Sequence, residues 1–132
     1  MRVLNYTFAL FLLFALAACD PGLDGDLKIF NETDQTITIK FSNSPADAID
    51  TVTENIAPGE HLLVNKIGGL GNKKDFDCCP ARTQIFLIRS AAGPIKRDPT
   101  ACENWSIPNK SKLRKFGRQP IKCEFHITAA DL

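Results

Sequence analysis

Beyond its first sixteen residues the chain has no apolar run long enough to cross a bilayer, and helical periodicity is scarce throughout the remainder. Methionine, tryptophan and tyrosine occur once each and histidine only twice. No Gly-x-Ser-x-Gly elbow, no His-Glu-x-x-His pair and no free cysteine beside a histidine is present, so no local motif supports an enzyme. An excess of one charge is also missing. Sixteen Lys and Arg face fifteen Asp and Glu for a net charge of +1, which removes the overall basic field that nucleic-acid binding relies on. These absences favour a binding protein over a catalyst.

The N-terminus is strongly patterned. Arg2 precedes an apolar run from Val3 to Leu16, which closes on Leu16-Ala17-Ala18-Cys19. A charged start, a short apolar core and small residues before a cleavage point describe a secretory signal rather than a membrane helix. With cysteine at the last position, residues 1–19 resemble the signal of bacterial lipoproteins, and every position of the lipobox matches. The resemblance implies diacylglycerol on the Cys19 sulfur, cleavage before Cys19 and acylation of the new amino terminus. It implies no cofactor besides that covalent lipid, and a place in the cell envelope. Asp20 resembles the inner-membrane retention signal of some enteric bacteria, a rule that fails in other lineages, so either membrane fits. Two or three acyl chains exceed what a single reversible chain provides. The expected organisation is a signal peptide over 1–18, a lipidated cysteine and flexible tether over 19–26, and a single domain over 27–132. The tether reading rests on the acidic, glycine-rich stretch from Asp20 to Asp26, whose reach is at most about 25 Å.

Once Cys19 is lipidated, Cys78, Cys79, Cys102 and Cys123 remain, an even number in an oxidising compartment. A bond between the neighbours Cys78 and Cys79 would be strained. One of them is therefore expected to pair with Cys102 and the other with Cys123, in either arrangement. Charge is unevenly distributed along the mature chain. Nine carboxylates stand against Lys28 and Lys40 between Asp20 and Glu60, whereas thirteen basic residues stand against six acidic ones from His61 onward. Facing strands would let these halves neutralise each other.

Two-residue alternation dominates the rest. It appears at Leu27–Asn31, at Thr36–Phe41 with Ile37, Ile39 and Phe41 on one face, and at Ile121–Thr128 with Ile121, Cys123, Phe125 and Ile127 inward. The turn formers Asn31-Glu32-Thr33-Asp34 suggest a first hairpin. Pro58-Gly59 suits a type II turn and suggests a second, between a strand carrying Val52, Glu54 and Ile56 and a return strand over His61–Ile67. Ile67 to Lys74 reads as a glycine-rich loop. Ile85 to Ile88, four consecutive apolar residues, reads as a central strand covered on both faces. About seven short strands with frequent turn residues predict an all-β fold, an antiparallel β-sandwich, with a small open barrel as the alternative. The Asn-x-Thr hairpin, Ile-x-Pro-Gly turn and closing Cys-x-Phe-x-Ile strand are similar to those of many short bacterial lipoproteins.

Three clusters invite a chemical reading. Cys123 and His126, with Cys78, Cys79 and His61, hold zinc-ligand chemistry, but on a strand Cys123 and His126 point to opposite faces, so no metal site is expected. Gly68-Gly69-Leu70-Gly71 followed by Lys73 and Lys74 lacks the Gly-Lys-Ser/Thr ending of a phosphate loop. Between Lys110 and Lys122 lie Lys110, Lys112, Arg114, Lys115, Arg118 and Lys122 with no acidic residue. This segment could dock onto an anionic surface or an acidic envelope protein, or simply offset the acidic half of the chain. Trp105, next to Cys102, is expected to pack over a disulfide. The expected function is that of a membrane-anchored binding module. Two alternatives are a periplasmic inhibitor of a cell-wall enzyme, inserting a loop such as Gly68–Asp77 or Lys110–Gln119, and a structural subunit that extends a partner's sheet.

Overall fold

The structure, a computed structural model, describes residues 22–42, 51–70, 76–78, 84–113 and 119–132. These form seven strands: β1 (Gly22–Asn31), β2 (Ile37–Ser42), β3 (Thr51–Ile56), β4 (His61–Leu70), β5 (Gln84–Ser90), β6 (Gly93–Pro94) and β7 (Ile121–Ile127). No α-helix occurs among the described residues, and the helical turns are short 3-10 pieces. One sheet has the order β4-β1-β7 and the other β3-β2-β5-β6. Neither closes on itself, so the sandwich holds and the barrel does not.

The core lies between the sheets because alternation points one row of each strand inward. Leu27 and Ile29 of β1 and Ile121, Cys123, Phe125 and Ile127 of β7 are buried from one side. Ile37, Ile39 and Phe41 of β2, with Ile56, Ile85 and Ile88, meet them from the other. Both sheets accommodate a bulge. Val64 is the extra residue of β4 opposite Leu27/Lys28, and Phe86 is the extra residue of β5 opposite Lys40/Phe41. The second bulge resets the phase of β5, so that Ile85 and Ile88, three apart, both face inward. This corrects the reading of β5 as covered on both faces: Leu87 and Arg89 are exposed, and the run of four apolar residues reflects a phase change rather than two packed faces.

Neither expected hairpin forms. β1 and β2 belong to different sheets, as do β3 and β4. The turn formers at Asn31–Asp34 and Pro58-Gly59 instead build two corners by which the chain changes sheet, and the true hairpin is β2–β3, paired from Ile37↔Ile56 to Ser42↔Thr51. The corners are joined through Asn31, 1% exposed. Its amide Nδ2 donates to Gln35 O at 2.7 Å and to Ile56 O at 2.9 Å. Its Oδ1 accepts from Thr33 N at 3.0 Å and Thr33 Oγ1 at 2.7 Å. Its backbone N–H donates to Glu60 O, and its carbonyl accepts from Gly59 N. Gly59 is at φ +77°, which a side chain would resist.

The tether is shorter than expected. Gly22 to Asp26 is the first half of β1, paired with Lys66–Leu70 of β4, so Gly68-Gly69-Leu70 is strand rather than loop. Each stretch lacks an apolar stripe and looks irregular alone. Each supplies the other's backbone partners, which composition does not register. Gly71 to Lys74, the remainder of that loop reading, lies outside the described residues. The other departure is parallel pairing of β1 with β7, from Gly25↔Ile121 to Asn31↔Ile127, within an otherwise antiparallel fold.

The C-terminus is fixed by charge. Asp131, 3% exposed, caps the final 3-10 turn through Thr128 N at 2.8 Å and is gripped by Arg97 through Nε, which donates to Oδ1, and Nη2, which reaches Oδ2 at 2.7 Å. Arg97 also donates to His126 O and lies 4.9 Å over the Phe125 ring. The Arg97 hydrogen bonds outweigh burial and hold the Asp131 carboxyl at a pKa of about 2.

Candidate functional site

The parallel register of β1 and β7 decides which groups share an end of the molecule. It places Ile121 beside Gly25 and Lys122 beside Asp26, while antiparallel β4 brings Leu70 to Gly22 and Lys66 to Asp26. Close approach at this end requires glycine, since a Cβ on Gly25 would lie 2.4 Å from the Ile121 carbonyl oxygen. The segment preceding β7 is held to the same end. Its 3-10 turn, Lys110–Lys112, is followed by Leu113, 1% exposed, which plugs it into the core. Asn109 Nδ2 donates to Pro120 O at 3.0 Å, and Asn109 Oδ1 accepts from Lys122 N at 3.4 Å.

Four lysines therefore surround the start of β7. Lys66, Lys110, Lys112 and Lys122 are all exposed. Lys110 Nζ meets Asp77 Oδ1 at 3.2 Å, an exposed pair that contributes little to stability. The ammonium groups of Lys66, Lys112 and Lys122 have no ion-pair partner among the described residues. Asp26 is engaged at 3.6 Å by Lys28. Of the six basic residues noted in the sequence, Lys110, Lys112 and Lys122 are thus brought together, and Arg114, Lys115 and Arg118 lie outside the described residues. Lys66 was missed because it lies on a different strand, and only the register of β4 against β1 reveals it.

Cys78 is bonded to Cys123, with Cα atoms 5.5 Å apart. Cys102 is also disulfide-bonded. Cys79 and the lipidation candidate Cys19 lie outside the described residues. Beside the Cys78–Cys123 bridge opens a cleft of about 450 Å³ lined by Asp77, Cys78, Cys102, Glu103, Trp105, Ile107 and Lys110. Trp105 is 7% exposed, donates its indole N–H to Pro99 O at 2.8 Å and tilts against Phe125 at 5.4 Å. It is a core residue whose edge reaches the cleft. With its sulfur in a disulfide, Cys78 or Cys123 offers no thiolate to a metal.

At the opposite end of the same sheet, one row across three strands stacks His61, Phe30 and His126, with ring centroids 5.0 and 4.8 Å apart. His126 is more than a solvated surface residue. Its Nδ1 lies 2.6 Å from Glu32 Oε1 and its Nε2 3.2 Å from Glu124 Oε2. Burial alone would lower its pKa, but the hydrogen bonds and charges of Glu32 and Glu124 prevail and raise it. Once protonated, the ring is a cation held between two carboxylates against an aromatic face, and its contact with Glu32 then joins the acidic and basic halves of the chain.

No protein-family model, curated protein or solved structure matches this chain.

Proposed function

We propose that the protein is a lipid-anchored lipoprotein of the cell envelope that acts by binding rather than by turnover. The observation that supports this most is the place of Gly22. The first strand begins three residues after Cys19, so acyl chains on that cysteine would hold the sandwich within about 10 Å of the bilayer. The disulfide between Cys78 and Cys123 suits an oxidising compartment. Asp131, Arg97 and His126, the titratable groups with the strongest environments, are spent on tying strands and the C-terminus together, as expected of a scaffold. The binding surface in this reading is the basic segment from Lys110 to Lys122, presented to the membrane or to a partner standing on it.

Detergent partition of the wild type and of Cys19→Ser, followed by crosslinking capture in intact cells, tests the reading. The wild type is expected in the detergent phase and Cys19→Ser in the aqueous phase. Capture of a specific partner is expected to fall when Lys110, Lys112, Arg114, Lys115, Arg118 and Lys122 are all replaced by serine. Equal partition of wild type and Cys19→Ser overturns the anchor, and unchanged capture overturns the docking role. One observation favours a second reading: β4, ten residues long, is an edge strand, and an edge can extend a partner's sheet in an envelope assembly. Proline at an outward-facing N–H of β4 would then abolish capture while the six serine substitutions left it intact.

A further inference from the structure

The four lysines around the start of β7 lie on the part of the sandwich that a lipid on Cys19 would bring to the bilayer, and we infer that they bind anionic phospholipid headgroups, seating the domain on the membrane in one orientation. The inference rests on the lipid-anchored reading above and adds to it a ligand chemistry and a face. Three observations support it. First, Asp26, which is flanked in register by Lys66 and Lys122, lies four residues into β1, or about 13 Å at roughly 3.3 Å per residue. A linker of about 10 Å allows the domain to tilt until the lysine side chains meet the surface. Second, the carboxylates at this end are already engaged. Asp26 is held by Lys28, Asp77 by Lys110, and Asp24 is not free. The ammonium groups of Lys66, Lys112 and Lys122 are left to face outward. Third, the lysines sit on ordered structure, namely β4 and β7, each paired with β1 between them, and a turn stapled by Asn109 and plugged by Leu113. Phosphate groups are the partner because exposed ammonium ions brought near an anionic bilayer each gain about 1 kcal/mol from the headgroup charge.

The test uses the full lipidated protein reconstituted into vesicles of phosphatidylcholine alone or of phosphatidylcholine with phosphatidylglycerol. Flotation is scored first, then the rate at which a water-soluble acylating reagent modifies each lysine, read by mass spectrometry. Lys40, exposed on the outer face of the other sheet, is the internal control. Flotation is expected with both vesicles. In the phosphatidylglycerol vesicles Lys66, Lys112 and Lys122 are expected to react about fivefold more slowly, the factor that corresponds to about 1 kcal/mol per lysine. Lys40 stays unchanged, and the protection disappears at high salt. Flotation with equal rates in the two lipids overturns the headgroup inference and leaves the anchored reading standing. Protection that is the same in both lipids shows proximity without charge recognition and overturns it too. Failure to float with either vesicle overturns the anchored reading, and the inference with it.

Discussion

Asn31 shows how a single residue can be legible in kind and hidden in consequence. Its place in Asn31-Glu32-Thr33-Asp34 marks it as a turn former, but the sequence gives no sign that both sheet-changing corners meet on its amide, because one of them comes from Ile56 and Glu60. Asn31→Ala removes two donors and an acceptor from a site closed to water, leaving the carbonyls of Gln35 and Ile56 unpaired. An unsatisfied buried polar group costs about 1 to 3 kcal/mol, so urea unfolding is expected to show a loss of about 2 to 4 kcal/mol. Asn31→Asp should be no better at neutral pH, since a carboxylate can accept from Thr33 but cannot donate to the two carbonyls. A mild effect in both variants would show that the corners hold without it. Asp131 carries a separate expectation, in pH. Its folded pKa of about 2 lies below the unfolded value, so its stabilisation is present above pH ~4 and is lost as pH falls toward 2, amounting to about 2 kcal/mol. His126 has the opposite sign. Its pKa is raised by Glu32 and Glu124 against the effect of burial, so its contribution is complete below the unfolded value near 6.5 and fades as pH rises through the folded one. Thermal midpoints are therefore expected to peak in mildly acidic solution. Asp131→Asn should flatten the acid limb and His126→Gln the neutral-to-alkaline limb.

Among the elements, β2, β7 and the lower part of β1 from Leu27 were legible because one buried row alternates with one exposed row, which is the only pattern a half-buried strand needs. The first half of β1 and the last third of β4 were not. Glycines at 22, 25, 68 and 69 remove the side chains that alternation is read from. At Gly25 the absence is what allows pairing, because β7 passes too close for a Cβ. Gly25→Ala is accordingly expected to push β1 from β7 at Ile121 and to destabilise the fold by about 1 to 3 kcal/mol, as overpacking does. The measurement is urea unfolding together with amide exchange at Asp26 and Cys123, whose protection should fall first. If Gly25 were merely a tether residue, the substitution would be neutral. The basic site was half legible for a similar reason. A run of lysines along one segment is visible in sequence, but Lys66 joins it only through strand register, which depends on the glycine-rich pairing that composition conceals.

For the whole molecule, the pairing of the first strand with the last sets what must hold the fold together. β1 and β7 meet across nearly the full length of the domain, and the parallel arrangement forces the intervening chain through the second sheet before β7 can close the first. Long-range closure of this kind forfeits much chain entropy before its contacts form. The Cys78–Cys123 bond acts on that step. It ties the start of β7 to a point 45 residues earlier, and the strand it tethers also carries Phe125 against Trp105 and the His126 carbonyl bound by Arg97. A bridge spanning such a loop contributes about 4 kcal/mol in the chain-entropy model. The paired replacement Cys78→Ala with Cys123→Ala is expected to lose about 2 to 4 kcal/mol in urea unfolding, with β7 and the C-terminal turn losing amide protection before β2 and β3. Reduction of the wild type also opens the Cys102 bridge and is expected to destabilise at least as much. If β2 and β3 opened first instead, the second sheet rather than the β1–β7 closure would be the weaker half. The bridge would then be bracing a junction already secured by packing around Phe125.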